Sequence, residues 1–588
     1  MLKESLSLTK VMGNIPVIHS DTTHCICTVC FAELIIEKAK TRKIFSVVYG
    51  ALKVRETVKK CPVCKQAYRS EHLPEIVQAG CNYAYDCIVE AGRLRFIDKR
   101  QIYEIQHIFN VGYGLNISQT QIRRMCYSFL RYLGRFHYHS SEQINHTFKN
   151  QGGHILYVDS TCEGRGVHLL TCIDGLSGYV LYSKKIKSEN NEDLQTAFTK
   201  VKNMFGTPLC CVHDMGNGIN KALDIVFQGV MRVICHFHLL RDIGNDLLKD
   251  LYRSVQKSLS KHAIYAGIRY QTIALEKAAG NRKKAEDLFF SFFDTCSNNK
   301  ADVLTGILYG YLQRLKTYEN CGDGYGFPFD RPKLDYYRML VNINADLEKI
   351  DKLTVFDTKT KKECRFYKIK DVLENVLNDN DLKLTVAQLE RQVADFDKFR
   401  EILRIAEPND KNGLNDQGKI STAKDLTMAE NKLKKYMETL KPKAEKDKKI
   451  AGVIKQLNKY WDKIFVSPIK VMAEGQEKTI IPQRTNNLSE QFYRKIKHLL
   501  RRLTGKPTVS KDLDYLPEEI ALVENLKNQN YVDTILGGLN TLAKKFAQLD
   551  IQKIKADLCE NDFQIKVPMK IIRKLKDFEP LEKLRMIY

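Results

Sequence analysis

The chain has 588 residues, 94 Lys and Arg against 70 Asp and Glu, and a formal net charge of +24. That length exceeds what one hydrophobic core serves and implies about three to five domains. The positive charge runs along the whole chain instead of gathering in a tail, which predicts folded domains with basic faces and an anionic partner. No apolar run approaches the ~18 residues of a membrane span, and the opening MLKESLSLTK has no secretory apolar core. The 17 cysteines are therefore expected in a reducing compartment, where they serve metals before disulfides.

Eight of those cysteines precede residue 130. Residues 1–90 are expected to form a zinc-binding, zinc-ribbon-like module. Its two CxxC knuckles, Cys27/Cys30 and Cys61/Cys64, supply four thiolates for one tetrahedral Zn²⁺. The intervening 30 residues exceed the usual compact ribbon. His24, Cys25, His72, Cys81 and Cys87 are read as ordinary buried or surface residues.

Residues 91–150 read as helical. The pattern IDKRQIYEIQHIFN ends at the glycine-containing turn Val111–Asn116, and a second helix begins at Ser118 with Gln121 at capping-box spacing. Helix, turn and basic helix make a helix-turn-helix candidate. Gln119, Gln121, Arg123 and Arg124 lie where base edges are read.

The period changes in residues 151–245. HILYVDST, VHLLTCID and GYVLYSKKI are β-rich runs, with turns at Gly164–Gly166 and Gly175–Gly178. A helix, the strand TPLCCVHD, another helix and the strand MRVICHF follow, so the order is βββαβαβ, a mixed sheet with packed helices. Residues 246–478 are expected to be a mainly helical insertion, 479–510 to return to the core with a basic helix, and 511–588 to form a helical tail. The fold class is multidomain α/β plus α.

Asp159 and Asp214 each close a buried strand, and Glu490 opens the basic helix. Brought together, three such carboxylates can hold two divalent ions on oxygen ligands, Mg²⁺ or Mn²⁺. On the helix, Arg494, Lys497 and Arg501 share the Glu490 face, and Phe492, Ile496, Leu499 and Leu503 form an apolar stripe. The cations are expected to meet phosphates. Glu163, Asp174, Glu474, Glu477 and Asp242 are rival acids.

The strand order and acid placement are those of an RNase H-like core interrupted by the insertion. The segments YVDST, HDMGNGINKAL, Cys235-His236-Phe237-His238 and TNNLSE resemble DDE transposases of the Mutator-like and related insertion-sequence type, over about a fifth of the chain. The resemblance implies Asp159, Asp214 and Glu490 as catalytic metal ligands. It also implies a structural role near the site for Cys235 and His238, a pair with nothing nearby to complete a zinc tetrahedron.

The expected activity is a transposase that binds terminal inverted repeats and target DNA, then cleaves and joins strands. A homodimer or larger assembly on DNA is expected, with no membrane partner. The address is the nucleoid-associated cytoplasm of a prokaryote, or a eukaryotic nucleus. A domesticated DNA-binding regulator without catalysis and an RNase H-like nuclease are the alternatives.

Overall fold

The computed structural model describes residues 15–163, 166–293, 300–319, 324–353, 364–408 and 422–549. It divides into two compact units. One holds the described residues up to Arg232, Ile469–Ile480 and those from Asn486 onward; the other holds Val233–Pro468 and Ile481–Thr485.

The first unit begins with β1 (Val17–Asp21), β2 (Ile35–Ser46), β3 (Gly50–Lys60) and the short β4 (Ala67–Tyr68). β3 pairs in parallel with β1 and antiparallel with β2 and β4. Alternation sets the faces: Leu52, Val54 and Val58 are buried while Lys53 and Arg55 are exposed. Ile44, Leu52 and Val54 form a core with Leu73, Val77 and Ala84. The long gap between the cysteine pairs is the β2–β3 hairpin. Its open end pairs Ile35 with Lys60, which returns Cys61 to the neighbourhood of Cys30. Gap length is therefore no obstacle to a shared site.

Helices α1 (Tyr85–Gly92), α2 (Ile102–His107), α3 (Gln119–His139) and α4 (Ser141–Gln151) follow. The Ser118 hydroxyl accepts from the Gln121 N–H (3.3 Å), so the predicted start of α3 is capped. The reciprocal two-sided box lies one helix earlier, between Gln101 and Glu104.

The central sheet contains β5 (Ile155–Thr161), β6 (His168–Asp174), β7 (Val180–Ile186), β8 (Cys210–His213) and β9 (Met231–Ile234). Helix α5 (Asn191–Phe205) follows β7, and α6 (Asn217–Val226) follows β8. The spatial order is β7-β6-β5-β8-β9; β6 runs antiparallel to β5 and β7, and β5 runs parallel to β8. Two residues of the predicted 164–166 turn lie outside the described residues.

The second unit, among its described residues, is helical: α7 (His236–Lys261), α8 (Ile264–Ala278), α9 (Arg282–Ser291), α10 (Lys300–Glu319), α11 (Pro332–Leu353), α12 (Arg365–Leu377), α13 (Asn380–Leu403), α14 (Ala423–Ala444) and α15 (Lys448–Ile464). Most of the polar stretch after Glu407 lies outside the described residues. Phe237 stacks on Phe329 with ring centroids 4.5 Å apart.

One segment differs from the helical expectation for 246–478. β10 (Ile469–Ala473) and β11 (Gln476–Ile480) form an antiparallel hairpin that belongs to the first unit. Glu474 and Gly475 both have positive φ (52° and 78°), the two-residue turn that suits strand twist. The lysine- and acid-rich context concealed an alternating strand pattern.

Helix α16 (Asn487–Thr504) returns to the first unit, followed by α17 (Ser510–Tyr515) and a 3₁₀ segment, Glu518–Lys527. The described tail is thus short turns and irregular helix; 550–588 lie outside the described residues. This tail covers the edge of β7. The Asn525 side chain accepts from the Val180 N–H (2.7 Å) and donates to its carbonyl (2.9 Å), doing the work of a neighbouring strand. Buried His137 bonds to the Tyr531 hydroxyl (2.8 Å) and the Leu181 carbonyl (2.9 Å), and burial brings its pKa down to about 4.

Glu519 reaches α3 beside Gly134, where a Cβ would stand 2.4 Å from its Cγ. There Arg131 Nη1 binds both Glu519 oxygens, at 2.7 and 2.9 Å. Removing one member of a buried pair strands the other charge. Arg131→Met is expected to destabilise the first unit by about 3 kcal/mol in guanidinium unfolding, and Arg131→Met with Glu519→Gln to recover part of that loss.

Candidate functional site

The two CxxC knuckles converge at the open end of the β2–β3 hairpin. The four Sγ atoms of Cys27, Cys30, Cys61 and Cys64 all lie within 4.8 Å of one another. Each knuckle turns the same way: Phe31 N–H donates to the Cys27 carbonyl and Lys65 N–H to the Cys61 carbonyl, with positive φ at Phe31 and Lys65. The Tyr68 hydroxyl donates to Cys27 Sγ (3.2 Å), and with backbone N–H groups it outweighs burial to lower that thiol to about 5. Sulfur donors with this spacing fit a structural Zn²⁺, whose ~2.3 Å bonds set S···S separations near ~3.8 Å. Cys25 is not among them, and His24 faces Glu71 instead.

At the other candidate site, strand register does the positioning. Val158 pairs with His213, so Asp159 and Asp214 each follow the last pair of the parallel β5–β8 ladder. Asp214 comes just after β8, whereas Asp159 does not close its strand as expected, because β5 runs on to Thr161 in its pairing with β6. Glu490 lies in the first turn of α16. One turn later the Tyr493 hydroxyl donates to the carbonyl of Asp159 itself (2.6 Å), with Leu169 O at 3.2 Å and the Thr171 hydroxyl at 2.6 Å. The Asn486 side chain lies 3.5 Å from the Val158 carbonyl. Phe492, Ile496, Leu499 and Leu503 are buried, so the apolar stripe of α16 faces the protein.

Burial pushes the Asp159 carboxyl well above its ordinary range. The charge on Asp214 adds to this, the Ser160 N–H opposes it, and Glu490 and Glu189 push it further. Asp214 is also raised by burial, against a hydrogen bond from Gly216 N–H (3.0 Å). Among the described residues, no Lys or Arg nitrogen lies within 4.0 Å of the carboxylates of Asp159, Asp214 or Glu490. Among the described residues, the four cysteines are the group of possible metal ligands with mutual spacing under 4.8 Å; the acids are not so tightly gathered.

Glu189, absent from the sequence candidates, accepts from the Ser160 hydroxyl (2.5 Å). A Cβ at Gly216 would stand 3.1 Å from Asp214 Oδ1 and 3.3 Å from Glu189 Oε2, and one at Gly218 would strike the Glu189 carbonyl at 2.0 Å. The glycines of DMGNG thus let the Glu189 loop close on the site. Glu189 lies in the polar run KSENNEDL, with no periodicity to mark it. Tyr493 was also missed: its ring reads as one more apolar position, and only the fold shows where its hydroxyl reaches.

The rival acids have other work. Asp174 accepts from Ile155, Leu176 and Ser177 N–H groups, the Ser177 hydroxyl and Gln151, and so ties a turn. Glu163 binds Arg501 (3.2 Å) and accepts from Val509 N–H. Glu477 pairs with Lys470, Glu474 sits in the hairpin turn, and Asp242 is exposed on α7.

The expected DNA contacts are unequal. Gln119, Arg123 and Arg124 are exposed at the start of α3 and Gln121 is half-buried; Gln119 also bonds Gln106 (3.2 Å). Arg494 is exposed and Lys497 half-buried. Arg501 is engaged by Glu163 and the Pro507 carbonyl, so it is not a free phosphate ligand as it stands. Cys235 is the buried N-cap residue of α7, with half-buried His238 in the first turn, both in the second unit.

No family model matches the chain, and no curated protein does. Among solved structures it is similar to the Drosophila P element transposase strand transfer complex, at 11% identity and a TM-score of 0.32, over 78% of this chain and 94% of that one. So loose a likeness assigns neither fold nor family.

Two measurements test the sites. The purified protein is expected to carry one zinc per chain by elemental analysis, and Cys61→Ser to lose it. A carboxyl with a raised pKa binds its proton more tightly when folded, so its ionisation costs stability as pH climbs above the ordinary value of 3.8. In chelator, Asp159→Asn is therefore expected to melt higher than wild type at pH 7, with the gap closing towards pH 4.

Proposed function

We propose that the chain is a DNA transposase that cleaves and joins strands at a DDE site formed by Asp159, Asp214 and Glu490, within an RNase H-like core. The observation that carries this reading is the pinning of the Glu490 helix, through Tyr493, to the carbonyl of Asp159, while strand register sets Asp214 beside it. The strand order β7-β6-β5-β8-β9, with Asp159 towards the C-terminal end of β5 and Asp214 just after the parallel β8, agrees with such a core.

The electrostatics favour a cation. Burial and mutual repulsion raise Asp159, and among the described residues no Lys or Arg nitrogen lies within 4.0 Å of the group, so an oxygen-ligated divalent ion is the counter-charge its chemistry fits. When bound, a pair of Mg²⁺ ions would activate the attacking water or 3′-hydroxyl and stabilise the leaving oxygen. The protein's part is to hold the donors still. Asp159 and Asp214 are fixed by the sheet, Glu490 by its helix, and Glu189 orients Ser160, whose N–H donates to Asp159 Oδ1 (2.8 Å). Arg494 and Lys497 supply positive charge for the flanking phosphates, and Gln119, Gln121, Arg123 and Arg124 contact the element ends. The zinc module supports end binding, and pairing of two ends calls for a dimer or larger assembly.

A transposition assay with the gene's own flanking DNA as donor ends tests the proposal. Wild type is expected to mobilise the donor in Mg²⁺ or Mn²⁺, and Asp214→Ala to bind the ends but join nothing. Equal mobilisation by the variant would remove the acidic-site assignment. End binding without mobilisation by either protein would favour the non-catalytic regulator.

A further inference from the structure

One face of the sheet beside the cysteine cluster is covered by the apolar core, and the opposite face is open. β3 buries Leu52, Val54 and Val58 on one side, so Lys53, Arg55, Thr57 and Lys59 project from the other. Register extends that open face across three strands. Lys53 lies between Lys43 and Val17, Arg55 between Thr41 and His19, and Thr57 between Ala39 and Asp21. Val17, His19 and Asp21 are the exposed positions of β1, and Ala39, Thr41 and Lys43 are exposed on β2.

The charge on this face is one-sided. Lys43, Lys53, Arg55 and Lys59 stand against Asp21, whose carboxylate already accepts from the Thr57 N–H (3.1 Å). Among the described residues, no carboxylate lies within 4.0 Å of the Lys43, Lys53 or Arg55 cation. Lys43 Nζ rests 5.0 Å over the Phe45 ring, and Lys59 Nζ donates to the His24 carbonyl (3.1 Å). The acid Glu37 pairs with Lys38 and Lys60.

β3 is the central strand, flanked by β1 over Lys53–Thr57 and by β4 at Lys59–Lys60, so β2 is an outer strand of the sheet. Every residue of β2 from Ile35 to Thr41 is exposed. The paired end of that stretch is clamped by the cysteine cluster, since Ile35 pairs with Lys60 immediately before Cys61. Cations two residues apart on a strand recur at ~6.8 Å, a spacing that lets several phosphates be met along the open face.

We propose that the open face of the β1–β3–β2 sheet, through Lys43, Lys53 and Arg55, is a duplex-DNA surface, with the cysteine cluster holding the open end of the β2–β3 hairpin in register. This rests on the transposase reading for its partner, and adds a contact surface separate from the start of α3 and from the acidic site.

The test is equilibrium binding of the full-length protein to a short duplex from the gene's own flank and to an unrelated duplex of equal length, across a salt series. The triple variant Lys43→Gln, Lys53→Gln, Arg55→Gln is compared with wild type, with zinc content and melting temperature measured on both. Each lost phosphate contact flattens the plot of log affinity against log salt by about 0.9. The slope is expected to fall by about 2–3 and affinity by at least about tenfold on both duplexes. Should the triple variant lose zinc or melt early, the single variants decide, each expected to flatten the slope by about 0.9. Unchanged slope and affinity in a folded variant would overturn the surface and leave the transposase reading standing. Failure of wild type to bind either duplex would overturn both.

Discussion

The hydroxyl of Tyr493 is the joint on which the acidic site depends. One phenol group meets the carbonyl of Asp159, the carbonyl of Leu169 and the hydroxyl of Thr171, so it grips β5 and β6 at once. A buried hydroxyl left without partners costs about 1–3 kcal/mol, which penalises any displacement of α16 along the sheet. Glu490, one turn before Tyr493, inherits that restraint. The helix is held at its far end too, where Gln101 and Arg95 donate to the carbonyls of Arg502 and Leu503. Those donors satisfy C-terminal groups that the helix leaves unpaired.

The same economy appears at the opposite side of the sheet. β7 would be an exposed edge, but Asn525 pairs with Val180 on both backbone groups, and Ser183 and Lys185 reach Glu518. The Arg131–Glu519 pair then fastens that covering segment to α3. The helix that presents Gln119 and Arg123 at its exposed start is therefore continuous with the support of the central sheet. The acids themselves sit in an environment that disfavours their charge. Burial and the neighbouring charge of Asp214 raise the Asp159 carboxyl, so its ionised form costs the fold stability.

Much of this was legible before folding. The CxxC pairs named the four cysteines that cluster, the period change near residue 153 announced the strands, and the 3.6-residue rhythm of Phe492, Ile496, Leu499 and Leu503 oriented α16. The hairpin at 469–480 escaped because its alternation is short and polar, flanked by long helical patterns. Glu189 escaped because a loop acid carries no period, and Arg501 looked free because its partner Glu163 lies 338 residues away.

By itself, the sequence determined most of the local facts: most of the strands and helices, which cysteines form knuckles, and which acid opens a helix. These follow from side-chain spacing and backbone geometry within a few residues. Tertiary structure alone decided the company each group keeps. It decided that a 30-residue gap closes as a hairpin, that Glu189 enters the acidic site, and that Asp174 and Arg501 are already engaged. Such choices depend on contacts between residues distant in sequence, and no local pattern carries the hydrogen bond that will satisfy a buried group from across the fold.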